Sequence, residues 1–146
     1  MDQRLPTVRA AYRQMLPITT RFMDNDVFGH VNNVNYYSFF DTAVCHILVQ
    51  RGVLSWPNAG HFVVVAESGC RYWTEIVFPD AVTAGVRISR LGTASVRYKI
   101  GVFRGEGDVA SAEGFLVHVS MDAATRRPAQ LPAAWRQALT PLLMES

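Results

Sequence analysis

The chain has 146 residues and a formal net charge of +2, with 49% hydrophobic and 18% charged residues. That length allows one domain with a real core, and the composition is too apolar for a disordered chain. Lys and Arg are scattered rather than gathered in a tail or stripe, which argues against nucleic acid as a partner, and no apolar run reaches the roughly 18 residues that a membrane helix needs.

Taken in chain order, Arg4 to Met15 predicts a short basic amphipathic helix, because Leu5, Val8, Tyr12 and Met15 fall near one face. Residues 1–16 are therefore expected to be a helical extension beside the first strand, within a single domain spanning residues 1–146. A mitochondrial presequence shares this character, but Asp2, Pro6 and the lack of a following Ser-rich stretch oppose that reading. Pro17 to Met23 predicts a strand, broken by Asp24-Asn25-Asp26. Val34 to Arg51 is helical in pattern, with Tyr37, Phe40, Val44, Ile47 and Leu48 at helical spacing and Phe39, Ala43 and Val49 on the second side. Such a helix is expected to be buried on most sides, with Asp41 and His46 as satisfied polar groups within it. Asn32 and Asn33 suit its start and Gly52 its end.

After a loop of turn formers over Ser55 to Gly60, the chain becomes β-like. Phe62 to Thr74 predicts a long or bulged strand. In Ala81 to Leu91, Val82, Ala84, Val86 and Ile88 alternate with Thr83, Gly85, Arg87 and Ser89. Thr93 to Arg104 alternates in the same way, and the short Leu91-Gly92-Thr93 junction predicts a hairpin. Val109 to Met121 predicts another strand, and Pro132 to Leu139 a short final helix. The fold class is α+β: a curved antiparallel sheet wrapped around one long helix. Open sheet edges make self-association an expectation. Cys45 and Cys70 make no disulfide framework and are expected reduced in a cytoplasmic protein.

The densest cluster of chemically capable groups is Arg21-Phe22-Met23-Asp24-Asn25-Asp26-Val27-Phe28-Gly29-His30-Val31-Asn32-Asn33, between the first strand and the long helix. Loops on a rigid scaffold concentrate function, and a helix N-terminus offers unpaired N–H groups and a field that favours negative charge. Asp24, Asp26 and Gly29 match the first, third and sixth positions of a calcium loop, but Phe28 at the fifth and Asn35 at the twelfth do not. Two readings stay open from the residues themselves: acidic residues capping a turn, or a catalytic carboxylate beside a helix N-terminus.

The run Arg21-Phe22-Met23-Asp24-Asn25-Asp26-Val27-Phe28-Gly29-His30-Val31-Asn32-Asn33, continuing into Tyr36-Tyr37, resembles the signature of the 4-hydroxybenzoyl-CoA thioesterase-like branch of the hotdog superfamily. Phe39-Phe40-Asp41-Thr42-Ala43 and, more loosely, Leu91-Gly92-Thr93-Ala94-Ser95 extend it. The resemblance implies a hotdog fold and hydrolysis of an acyl-CoA thioester to free acid and CoA. Asp26 would attack the thioester carbonyl or activate water, and the backbone N–H of Asn33 would hold the carbonyl oxygen. It further implies a homodimer or homotetramer, with the acyl pocket commonly built between subunits.

Around that core, Gly29 is expected to serve close approach or a positive φ, His30 to assist as a polar group or bond the loop backbone, Asp24 to order the loop, and Asn32 to cap the helix. Glu67 is a possible second acid, the plainer reading being a paired or edge carboxylate. Arg87, Arg97 and Lys99 on one strand face, with Arg90 at a strand end, can bind CoA phosphates; a solvated face is the plainer view. Phe28, Tyr36, Tyr37 and Trp73 can line an acyl pocket or belong to the core. Cys45 and His46 are helix neighbours that do not face each other, and no GxSxG elbow is present. No metal is expected, and no cofactor beyond the CoA of the substrate. Two alternatives remain. A hotdog enoyl-CoA hydratase or dehydratase needs Asp-x-Asn-Pro-x-His spacing, which Asp24, Asp26 and His30 do not supply. A catalytically silent acyl-binding module is opposed by the intact Asp26 and Gly29-His30.

Overall fold

Alternating apolar and polar residues set the strands, and their apolar sides meet one helix. The computed structural model describes residues 5–54 and 60–144. Its elements are β1 (Gln14–Thr19), α1 (Asn33–Gln50), β2 (His61–Tyr72), β3 (Ala81–Leu91), β4 (Ser95–Arg104), β5 (Ala112–Asp122) and α2 (Ala133–Leu139). The strands form one antiparallel sheet in the order β1-β3-β4-β5-β2. The β3–β4 hairpin forms where the junction at Gly92 predicts it. Val82, Ala84, Val86 and Ile88 of β3, and Val96, Tyr98, Ile100 and Val102 of β4, are buried on the inner face against Phe40, Val44, Ile47 and Leu48 of α1. The outer face carries the other set, including Arg87 directly opposite Lys99.

Phe40 presses on the sheet at Gly114, where a Cβ would overlap its ring. The absent side chain sets how closely α1 approaches β5. We expect Gly114→Val to cost about 2 kcal/mol through overpacking, read as a lower urea midpoint at unchanged slope.

Four expectations are corrected. Residues 5–13 are an extended arm with one 3-10 turn at Arg9–Ala11, not a helix. The arm crosses the outer face, where Tyr12 lies over the paired glycines Gly85 and Gly101 and Thr7 N–H donates to Glu113 at 2.7 Å. Side-chain packing on the sheet wins over a helical apolar pattern that also contains Pro6. The first strand ends at Thr19, because Arg21 and Asp24 close a 3-10 turn over Phe22–Asp24. α1 buries one face only: Asp41, Thr42 and His46 are exposed on the side the sheet does not cover. Phe28, allowed as a core residue, is 80% exposed. Ser55 to residue 59 of the expected loop lies outside the described residues.

Candidate active site

The segment between β1 and α1 is fixed from its first residues. Asp24 is fully buried, and its carboxylate accepts the Arg21 backbone N–H (2.8 Å) and the Arg21 guanidinium (2.9 and 3.1 Å). Its carbonyl accepts the Asn32 N–H (2.8 Å) and the Asn35 side-chain amide (2.9 Å). One acid thus ties the entrance of the loop to the start of α1. The loop is also tied to the segment before β3: Val31 N–H donates to the Ile76 carbonyl (2.7 Å) and Phe78 N–H to Asn25 Oδ1 (3.0 Å).

Asp26 heads the turn inside this frame. Its N–H donates to the His30 carbonyl (3.0 Å) and its carbonyl accepts the Gly29 N–H (3.1 Å). Gly29 has φ +86°, a left-handed value that favours glycine at this turn. The Asp26 carboxylate accepts the Phe28 N–H at Oδ1 (2.9 Å) and the Asn32 side-chain amide at Oδ2 (3.2 Å). Both donors are neutral, and no cation pairs with Asp26 among the described residues. The carboxylate is therefore oriented without being neutralised by an ion pair. Asn32 does two jobs: its Nδ2 holds Asp26, while its Oδ1 caps α1 by accepting the Val34 N–H (2.9 Å). Asn33 is the first residue of α1, and its N–H has no acceptor among the described residues.

Asn33 opens on a pocket of about 260 Å³ whose walls include His30, Tyr36, Tyr72, Trp73 and Glu75. Asp26 is not in that wall; it stands next to it, bonded to the backbone of His30 and the side chain of Asn32. His30 Nδ1 is 3.2 Å from the Val31 carbonyl and its ring stacks on Phe28. The Tyr72 hydroxyl donates to the Asn33 carbonyl (3.3 Å), and its ring meets Tyr36 edge-on at 5.0 Å. Burial pushes the Tyr36 phenol up to about 12 and raises that of Tyr72 as well, so at neutral pH both are donors rather than bases. Burial likewise raises the Cys70 thiol to about 11, and that of Cys45 in the same direction. Neither cysteine supplies a thiolate nucleophile at neutral pH.

Asp26 and Gly29 lie in one turn with His30, and His30 and Asn33 line the pocket together with Tyr36 and Trp73. Tyr37, a further aromatic candidate, is not in the wall. Glu67 is elsewhere: it is exposed on the outer face of β2, 3.9 Å from Arg97. Arg87, Arg97 and Lys99 share a groove on the outer face of the sheet, while Arg90, displaced by a bulge between Ile88 and Arg90, does not line it. Tyr72 and Glu75 are pocket residues that the sequence reading missed. Their signal was position, since loops at one end of a sheet gather around a helix terminus.

The family profile of the thioesterase-like superfamily matches residues 20–139 of this chain. The PA5185 protein of Pseudomonas aeruginosa strain PAO1, known from a crystal structure, is 39% identical, with 97% of this chain and 99% of that chain covered at a TM-score of 0.92. The DHNA-CoA thioesterase of Staphylococcus aureus is 21% identical, covering 85% of this chain and 86% of its own at a TM-score of 0.76, a likeness that concerns the fold. An uncharacterised Bacillus subtilis (strain 168) protein, YsmA, is 27% identical over 79 residues; the match takes in 54% of this chain and about half (53%) of that protein's length.

Proposed function

The chain belongs to the thioesterase-like superfamily, and on that footing we propose that it hydrolyses an acyl-CoA thioester to free acid and CoA with Asp26 as the catalytic carboxylate. The observation that carries this is an Asp26 carboxylate oriented by two neutral donors in the loop that leads into α1, where the N–H of Asn33 has no acceptor among the described residues. A thioester carbonyl develops negative charge on oxygen as it is attacked, and in this reading the Asn33 N–H, with the N-terminal field of α1, receives it. One donor of this kind is typically worth about 3 kcal/mol of barrier.

Two routes use the same parts. In one, the carboxylate takes a proton from water, the hydroxide adds to the carbonyl carbon, the C–S bond breaks, and the thiolate leaves and is protonated. In the other, the carboxylate itself adds, the thiolate leaves, and water cleaves the resulting anhydride. The aromatic walls formed by Tyr36, Tyr72 and Trp73 suit an aromatic or fatty acyl group. A thiol-release screen over short, medium, long and aromatic acyl-CoAs tests the proposal. Release of CoA from at least one member is expected; none across the panel would overturn it in favour of a silent acyl-binding module.

Self-association is part of the same reading. β2 is an edge strand with Val64 and Val65 exposed, and Val27, Phe28 and Val34 beside the site are 95%, 80% and 66% exposed. Exposed apolar side chains and an open strand edge suit a second copy of the chain. Light scattering at micromolar concentration is expected to give a dimer or tetramer mass; a strictly monomeric mass would contradict this reading.

A further inference from the structure

The pocket beside Asn33 is walled by three aromatic residues, Tyr36, Tyr72 and Trp73, and by one carboxylate, Glu75. The polar tips of the three rings are committed elsewhere. The Tyr72 hydroxyl donates to the Asn33 carbonyl (3.3 Å), the Trp73 indole N–H donates to Glu113 (3.1 Å), and the Ile76 backbone hydrogen-bonds the Tyr36 hydroxyl. What these residues offer a ligand is ring surface. Tyr36 and Tyr72 meet edge-on at 5.0 Å with their planes at 87°, which makes a corner of aromatic wall.

Glu75 is the polar group that remains. It is exposed, and among the described residues its carboxylate accepts no hydrogen bond and pairs with no cation. No Lys or Arg lines this pocket; Arg71, 5.8 Å over the Trp73 ring, lines the groove on the outer face of the sheet. Asp26, next to the pocket, is held by neutral donors. The pocket therefore combines ring surface with negative charge.

That combination discriminates between acyl groups. A hydrocarbon group seated here would strip water from Glu75 and return nothing. A carboxylated group would meet a like charge. A hydroxyl would satisfy Glu75 with one hydrogen bond and make no use of the rings. A primary ammonium brings three N–H donors and would find one carboxylate for them, since the hydroxyls and the indole are engaged. A quaternary ammonium has no N–H to satisfy. Its charge lies under an apolar shell of methyl groups, which aromatic faces and a single carboxylate complement.

We propose that this pocket takes an acyl group ending in a quaternary ammonium, with the trimethylammonium head against the Tyr36–Tyr72 corner and Trp73, and with Glu75 as its counter-charge. This rests on the thioesterase reading above and names its substrate class. Hydrolysis then releases CoA and a carboxylic acid that carries the ammonium. Glu75 acts on specificity, not on the bond that breaks.

The test uses two pairs of substrates that differ in one atom, nitrogen for carbon, and hence in charge. Trimethylammonioacetyl-CoA is compared with 3,3-dimethylbutanoyl-CoA, and 4-(trimethylammonio)butanoyl-CoA with 5,5-dimethylhexanoyl-CoA. In at least one pair, kcat/KM for the ammonium member is expected to exceed that of its neutral isostere by at least ~10-fold. In Glu75→Gln, whose fold is checked by circular dichroism, that ratio should fall at least ~3-fold. Tyr72→Phe keeps the ring and should keep the ratio, whereas Tyr72→Leu should lower it at least ~3-fold. A ratio of one or below in both pairs would overturn the proposal while leaving thioester hydrolysis intact. So would a ratio that neither Glu75→Gln nor Tyr72→Leu moves. If the native protein hydrolyses none of the four, hydrolysis is what has failed, and calorimetric titration with the matching S-alkyl-CoA thioethers decides the pocket. Binding of the ammonium member at least ~10-fold tighter then supports the assignment; equal, weaker or absent binding overturns it.

Discussion

Replacing Asp26 by asparagine is expected to lower acyl-CoA turnover by at least ~100-fold, as loss of a key catalytic group does, with the fold intact. The substitution nearly preserves shape. The amide oxygen of the new side chain can still accept the Phe28 N–H that Asp26 Oδ1 accepts at 2.9 Å, and only the bond from the Asn32 amide at 3.2 Å is lost. That one neutral hydrogen bond is worth about 1 kcal/mol of stability. The chemical loss is much larger, because a neutral amide neither attacks a thioester carbonyl nor takes a proton from water. A hundredfold effect corresponds to about 2.7 kcal/mol of barrier. The measurement is steady-state thiol release by the native protein and by the variant, with thermal melts of both. Asp24→Asn supplies the contrast: Asp24 is fully buried under Arg21 and faces no substrate, so its substitution should appear first in the melt. Normal turnover by the Asp26→Asn protein would sink the mechanism, whatever the outcome for Asp24.

How far the sequence revealed these features follows from what each residue is used for. α1 and the β3–β4 hairpin were legible because a single burial requirement acts on a long run. Phe40, Val44, Ile47 and Leu48 must all face the sheet, and Val82, Ala84, Val86 and Ile88 must all face the helix. The N-terminal arm was not legible, since Leu5, Val8, Tyr12 and Met15 have helical spacing while the decisive contact is Tyr12 on Gly85 and Gly101, far away in sequence. The first strand was overextended for a local reason: the Arg21–Asp24 closure overrides the β propensity of its neighbours. In the site, spacing alone could not separate Asp24 from Asp26. The family resemblance implies unequal roles for them; in the structure Asp24 is buried under Arg21, whereas Asp26 is half-open. Glu67 was a plausible acid only while the facing of β2 was unknown. The bulge between Val65 and Glu67 and the pairing of Glu67 with Val117 put it on the outer face, and the carboxylate that does line the pocket, Glu75, lies past the end of the strand.

Acid is expected to destabilise the protein through a histidine remote from this chemistry. His118 lies on the inner face of β5, 5% exposed, edge-on to the buried Tyr98 ring at 5.4 Å. Its Nδ1 is buried without a partner among the described residues, and burial lowers its pKa from 6.5 to about 4. Above 6.5 the ring is neutral in both folded and unfolded chains, and the core loses nothing. As pH falls below 6.5 the unfolded chain takes up a proton that the folded chain refuses, and stability drains away until the folded group titrates near 4. Across that window the loss is about 3 kcal/mol, a large share of a typical domain's total. His61, lowered by burial too, acts with the same sign. Urea unfolding of the native protein and of His118→Leu at each end of the window isolates the effect from that of the carboxylates, which titrate in both proteins. The native protein should lose about 3 kcal/mol more than the variant. Equal losses would mean that His118 takes up its proton in the folded state and that the space between Tyr98 and α1 admits the charge.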